Sequence, residues 1–442
     1  MKTKVYAHFD LTCNFTIVPS HIVTDKARVE LRASVISESS YDKEIEIKLY
    51  LDEFDNEKFI SGTGKFTLES GKQRLYADFI STKGLRGDHK LMAAFYADGM
   101  PIAAEYISIR IVPSETKALP FVQVMWIEPG SYNNGLGNKK ADENDAREYI
   151  RLLSFIGVHS VVIAHTEGIA FGSGAYYPSG LPEFEGIARP IDFDYVNTVL
   201  DEAEKLDMNV FVGLGRHYDT LQLRNGLGDK TRIEMQLDYG KRLSSELWSL
   251  YGKYNSFYGW YIAYGTDDIT CSNEYYNHMA DILHSYCPDK PVMIALSGMP
   301  VVSPDIINGC RYEIVAYQDA VGSGNIPMQN TFNQENRIRM LHEIYMKYQG
   351  AHAGTDVHIW SNLEMWKMDG PAYKDAYASD WSQIARQLEI ERNYVSCVCG
   401  YAVPSCIQNP NGAFCFKGYK YQKSFDLYND YKAYYEKACV HY

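Results

Sequence analysis

The sequence predicts an α/β chain: a (β/α)8 barrel preceded by an all-β, immunoglobulin-like sandwich. Residues before about 115 alternate apolar and polar with period two. Residues after 120 alternate short, nearly continuous apolar runs with helical segments. A strand with one wet face alternates, and a strand buried on both faces does not. The change of pattern falls at Pro113 to Pro120.

In this reading residues 1–115 form the sandwich. Val29, Leu31, Ala33 and Val35 alternate with Arg28, Glu30, Arg32 and Ser34. Ile45, Ile47, Leu49 and Leu51 alternate with Glu44, Glu46, Lys48 and Tyr50. Ile107, Ile109 and Ile111 repeat the pattern, which places the charged face of each strand in water. Asp98-Gly99, and Gly84 with Gly87-Asp88, supply turns between strands. Ser61-Gly62-Thr63-Gly64-Lys65 looks like part of a phosphate loop. It lacks the first glycine at the required spacing and falls in a sandwich strand.

Residues 120–442 form the barrel. Its eight apolar runs are Phe121–Ile127, Ser160–Ala164, Val210–Leu214, Phe257–Ala263, Val292–Leu296, Ile314–Tyr317, Val357–Trp360 and Val395–Ala402. Helices fill the gaps. Phe193, Val196, Val199, Leu200, Ala203 and Leu206 mark one apolar stripe, with Asp192 placed to cap it. Ile338, Leu341, Ile344 and Tyr345 mark another, and the last helix covers about 424–437. Eight strand–helix units imply a closed barrel. An open doubly wound sheet is the competing architecture, and the lack of a glycine-rich loop after the first strand counts against it.

The chain has 43 Lys+Arg against 56 Asp+Glu, so no basic excess is present to neutralise phosphates and a nucleic-acid partner is not expected. No apolar run is long enough to span a bilayer. The N-terminal residues lack the apolar stretch of a signal peptide, so the expected location is the cytoplasm, or outside the cell with the signal already removed. The nine cysteines show no zinc-ligand spacing, and no metal or other cofactor is expected. Free buried thiols are the simplest account, with Cys406 and Cys415 left open as a pair. Cys397 and Cys399 are read as facing opposite sides of a strand.

In (β/α)8 barrels the site lies at the C-terminal ends of the strands. Those ends carry Trp126 and Glu128; His165 and Glu167; Arg216, His217 and Tyr218; Tyr264 through Asp268; Ser297; Gln318 and Asp319; Trp360, Asn362, Glu364 and Trp366; and Tyr401. Two carboxyl groups among aromatic faces are what glycoside cleavage needs. One protonates the leaving oxygen and the other attacks carbon or activates water. Glu364 is the candidate nucleophile or base. Asp267 and Asp268, after strand four, are candidates for the acid, with Asp319 and Glu128 as alternatives. Trp126, Glu128, His165, His217, Tyr264, Gln318, Trp360, Asn362 and Trp366 are candidates for sugar contact. Each has a plainer reading: the aspartates as helix-start or loop residues, the histidines as pocket wall, the tryptophans as rim packing.

Three segments resemble signatures of one group. They are Phe257-Tyr258-Gly259-Trp260-Tyr261-Ile262, Ile314 through Gly322, and Trp360-Ser361-Asn362-Leu363-Glu364-Met365-Trp366. The group is a family of uncharacterised bacterial TIM-barrel proteins related to glycoside hydrolases, and the resemblance covers about 120–437. It implies carbohydrate chemistry, with Glu364 at the strand-seven carboxylate position and Gln318 and Asp319 lining the cleft. The family places a Glu shortly after Gly-Trp-Tyr-Ile, but here Ala263-Tyr264-Gly265-Thr266-Asp267-Asp268 follows. The leading expectation is a glycoside hydrolase acting on an oligosaccharide or glycoconjugate. The alternatives are a non-catalytic carbohydrate binder on a degenerate barrel, and an interaction role centred on the sandwich.

Overall fold

The computed structural model describes residues 5–6, 10–130, 140–169, 172–215, 230–266, 269–296, 302–323, 334–368, 376–412, 415 and 419–439. At 5–6, 230, 264–266, 269–271, 368 and 419–421 only the backbone is described. The chain divides into two units. One is Met1–Ala118 with Leu283–Pro291, and the other is Leu119–Ile282 with Val292–His441.

The first unit is a β-sandwich. Its strands are Val5–Tyr6 (β1), Leu11–Val18 (β2), Ile22–Thr24 (β3), Arg28–Ser37 (β4), Lys43–Leu51 (β5), Phe59–Leu68 (β6), Gln73–Ser81 (β7), Gly87–Ala97 (β8) and Met100–Val112 (β9). One sheet runs β2-β4-β7 and the other β1-β9-β8-β5-β6, with β3 also on β9. Apolar positions from both sheets, among them Phe15, Leu31, Val35, Ile47, Phe95 and Ile109, meet in one core. The order matches the immunoglobulin-like arrangement, with β2, β4 and β7 facing β9, β8 and β5. Ser61–Lys65 lies in β6.

The charged side of β4 departs from the sequence pattern. Glu30 and Arg32 are buried, not wet, and form an ion pair at 2.6 Å. Residues 283–291 cover them. Arg32 donates to the carbonyls of Pro288 and Asp289, both at 2.9 Å. The buried Asp289 carboxylate accepts from Thr16 (2.7 Å) and Ser34 (2.8 Å). The boundaries expected from sequence, 1–115 and 120–442, omit this late segment from the sandwich.

The second unit is a closed parallel barrel of Val124–Ile127 (β10), Ser160–Ile163 (β11), Asn209–Leu214 (β12), Phe257–Thr266 (β13), Val292–Leu296 (β14), Ile314–Gln318 (β15), His358–Glu364 (β16) and Cys397–Val403 (β19). A hairpin of Trp366–Met368 (β17) and Ala376–Ala378 (β18) follows the seventh barrel strand. The described helices are Glu143–Phe155 (α1), Tyr195–Lys205 (α2), Lys230–Tyr251 (α3), Ile269–His284 (α4), Pro304–Asn308 (α5), Gln334–Ala351 (α6), Trp381–Glu391 (α7) and Tyr419–Ala438 (α8). Asp194, not Asp192, caps α2: its side chain accepts from the Asn197 amide at 2.9 Å. Among the described residues no helix is long and apolar enough to cross a membrane. No described cysteine is in a disulfide, Cys406 and Cys415 included. Cys397 and Cys399, two residues apart on β19, share a face and hydrogen-bond to each other, which corrects the expectation of opposite faces.

Strand register decides which side chains enter the barrel. Neighbours in a parallel ladder point the same way, and each strand alternates. Tyr317 stacks on Tyr348 of α6, with ring centroids 3.8 Å apart, so it faces outward. Ala316 and Gln318 therefore face inward, as do their partners Trp360 and Asn362 on β16. Continuing the alternation, Glu364 faces inward, and so does its partner Tyr401 on β19. Asp319 follows Gln318 and turns outward with Tyr317.

Candidate active site at the barrel mouth

The barrel floor is aromatic. Trp360 is wholly buried, with its ring edge-on to Phe211 of the opposite strand β12 at 5.7 Å. It fills the barrel interior, so the expectation that it contacts sugar is corrected: β16 runs on to Glu364 and leaves Trp360 below the mouth. Trp126 is also buried, edge-on to Tyr261 at 5.6 Å and tilted against Tyr401 at 6.4 Å. Both rings support the mouth from beneath.

Above that floor the inward positions are polar. Glu364 is 3% exposed, and its Oε2 accepts from the Ser323 amide at 2.6 Å. Burial, then the negative charge of Asp319, push its carboxyl up to about 8. Gly322 makes this approach feasible. A Cβ there would lie 2.2 Å from the Trp366 carbonyl oxygen and 3.1 Å from Glu364 Cβ. Asn362 is buried and inward, and Gln318 beside it is half-buried. Trp366 opens the β17–β18 hairpin and is 8% exposed, which leaves little of its indole for a ligand.

A second carboxyl group stands nearby. Tyr401, level with Glu364 in the ladder, donates its hydroxyl to Glu128 at the end of β10. Burial, then Glu128, hold the Tyr401 phenol well above its usual range. Cys406, pushed up to about 12 by burial, has both Glu128 and Glu364 among the charges that act on it. Glu128, Tyr401, Cys406 and Glu364 thus form one patch over strands eight, one and seven.

Two groups on the strand-two side were not among the site candidates, although Glu167 stood among the strand ends. Glu167 is buried over Gly215, where an added Cβ would fall 1.5 Å from Oε1. Tyr176 lies edge-on to half-buried His165 at 5.7 Å, and its hydroxyl comes within 3.1 Å of where a Cβ would sit on Gly130. Burial raises this phenol, and Glu167 and Glu128 are the charges that act on it. His165-Thr166-Glu167 at the exit of strand two carries the only sequence signal for Glu167, and Tyr176 has none.

Asp319 does not line the cleft, which corrects both its candidacy as acid and the position the resemblance implied. It is buried behind β15 and β16. Oδ1 accepts from the amides of Val321 (3.0 Å) and Glu364 (3.2 Å), and Oδ2 from Gln387 of α7 (2.5 Å). His217, Asp267 and Asp268 lie outside the described residues, as does the side chain of Tyr264. Among the described residues no group of His, Cys, Asp or Glu could hold a metal ion.

Several known structures are similar to this chain. A protein from Bacteroides thetaiotaomicron VPI-5482, named as a candidate α-L-fucosidase, matches with 18% identity and a TM-score of 0.56, over 72% of this chain and 94% of that one. A β-glucuronidase from Ruminococcus gnavus matches with 9% identity and a TM-score of 0.46, over 96% and 67%. A β-galacturonidase from Eisenbergiella tayi matches with 14% identity and a TM-score of 0.43, over 92% and 69%. No curated protein sequence matches. The model of the family described as DUF4434, a domain of unknown function, matches residues 125–414, and the chain belongs to that family.

Proposed function

We propose that this chain is a glycoside hydrolase that uses two carboxyl groups at the barrel mouth, Glu364 and Glu128. One observation carries the reading: a desolvated carboxyl at the exit of strand seven, in one patch with a second carboxyl bound by Tyr401. The fold it shares with a candidate α-L-fucosidase supports the same substrate class.

The roles follow from the surroundings. The Glu364 carboxyl stands at about 8, so it is neutral at pH 7 and suited to hand a proton to the glycosidic oxygen as the C–O bond breaks. This reverses the role of nucleophile or base expected from sequence. Glu128 accepts a hydrogen bond from Tyr401 and presents a carboxylate to the sugar carbon or to water. Asp267 and Asp268, the acid candidates expected from sequence, lie outside the described residues. Gln318 and Asn362 supply polar contacts beside Glu364.

The test is Glu364→Gln assayed on two aryl glycosides, one with a poor leaving group and one with a good one. Loss of a general acid stops the first and spares the second, because a good leaving group departs without a proton. Loss of both turnovers would assign Glu364 as nucleophile, and unchanged turnover would remove it from the mechanism. The second reading, a non-catalytic carbohydrate binder, is favoured by the missing Glu after strand four. It predicts glycan binding with no cleavage product from the wild type.

A further inference from the structure

Behind Glu364, between the barrel strands and their outer helices, lies a group of buried polar side chains that a hydrolase mechanism does not itself require. Asp319, Arg337 of α6, and Gln387 and Glu391 of α7 are each no more than 2% exposed. Arg337 Nε donates to the Asp319 carbonyl at 2.6 Å. Gln387 Nε2 spans from the Asp319 carboxylate (2.5 Å) to the Glu364 carbonyl (3.3 Å). With the Glu364 amide also on Asp319, both backbone polar groups of Glu364 are held from behind.

The charges in this group must balance, because an unpaired buried charge is costly. Among the described residues Arg337 is the one cation of this group, against the three carboxyls of Asp319, Glu391 and Glu364. Asp319 has the donors an anion needs: two amides and the Gln387 amide. Among the described residues the one side-chain donor to Glu391 is the rotatable Ser361 hydroxyl, and the carboxyl is wholly buried against Asp319. Two carboxyl groups in such contact need a proton between them, as in a carboxylate dyad.

We infer that Asp319 is a fixed buried anion, that Glu391 is a neutral acid donating to it, and that with Gln387 they are positioning residues that keep Glu364 protonated and its backbone clamped. The inference rests on Glu364 being the reactive carboxyl, but its readout is the carboxyl itself and not turnover. Burial and then Asp319 hold Glu391 well above its ordinary range; burial raises Asp319 as well, but contact with Glu391 and the three amide donors pull against it. Other groups also face this cluster. Tyr345 of α6 has Glu391 and Asp319 among its neighbouring charges, and Cys399 of β19 has Glu391. On the mouth side Glu364 faces Cys406, which also neighbours Glu128.

The experiment titrates Glu364 by NMR in protein carrying carboxyl-labelled glutamate, with its signal assigned from Glu364→Gln. Glu391→Gln keeps a donor toward Asp319, so the Glu364 titration is expected unchanged and one protonated-carboxyl infrared band is lost at neutral pH. The double variant Asp319→Asn, Glu391→Gln removes the anion and lowers the Glu364 titration by roughly one unit or more. A drop in Glu391→Gln alone would place the anion on Glu391 and overturn the inference, as would a wild-type titration in the double variant. If the double variant fails to fold, the titration and infrared band of Glu391→Gln still decide. Absence of glycoside turnover in a wild type that titrates as expected would overturn the proposed function and leave this inference standing.

Discussion

A neutral, desolvated Glu364 makes the barrel's stability depend on pH in a way that one substitution removes. The ordinary carboxyl value is 4.5 and this one is held up at about 8. Below 4.5 the folded and unfolded chains both keep the proton. Between the two values the unfolded chain has released it and the native state has not, so the native state binds more protons and stability falls as pH rises. Above about 8 the loss is complete, and at about 1.4 kcal/mol per pH unit it reaches on the order of 5 kcal/mol. Glu364→Gln is isosteric with the neutral acid and still accepts from the Ser323 amide. The variant should match the wild type near pH 4.5 and exceed it increasingly up to pH 8.5. Urea unfolding followed by tryptophan fluorescence reads this directly, because all 6 tryptophans lie after residue 120 and report the barrel alone. Parallel pH profiles for the two proteins would refute the claim that Glu364 is held neutral by its surroundings.

Two further outcomes follow from the geometry. Tyr401→Phe removes the hydroxyl donated to Glu128 but keeps the ring on Trp126, so the fold should persist while turnover falls about 10- to 100-fold, the worth of a hydrogen bond to a charged group. Steady-state kinetics beside an unchanged melting curve would establish it. Asp289→Ala strips the acceptor from Thr16 and Ser34 inside the sandwich and should destabilise that unit by about 1–3 kcal/mol, seen in calorimetry as an earlier transition with no change in barrel fluorescence.

The barrel was legible because strands buried on both faces read as unbroken apolar runs, and all eight lie where those runs fall. The sites on those strands were less legible, because local pattern does not give register. The seventh run was expected to end at Trp360, but the strand continues to Glu364, so the indole sits in the interior and not at the rim. Gln318 and Asp319 are adjacent, and only the stacking of Tyr317 on α6 reveals that the first faces in and the second faces out. Glu167 and Tyr176 come from the irregular chain after β11, where no period guides the eye. Arg32 and Glu30 follow a clean alternation, yet their cover comes from residues more than 250 positions later.

That late cover has a consequence for how the molecule can be divided. A chain ended at residue 118 would carry Arg32 without the two carbonyls that receive it, and Thr16 and Ser34 without their shared acceptor. No single scission of the polypeptide yields the sandwich with all its parts. During synthesis the first hundred residues emerge well before the nine that complete them, so the sandwich reaches its final state only after more than half the barrel sequence has been made.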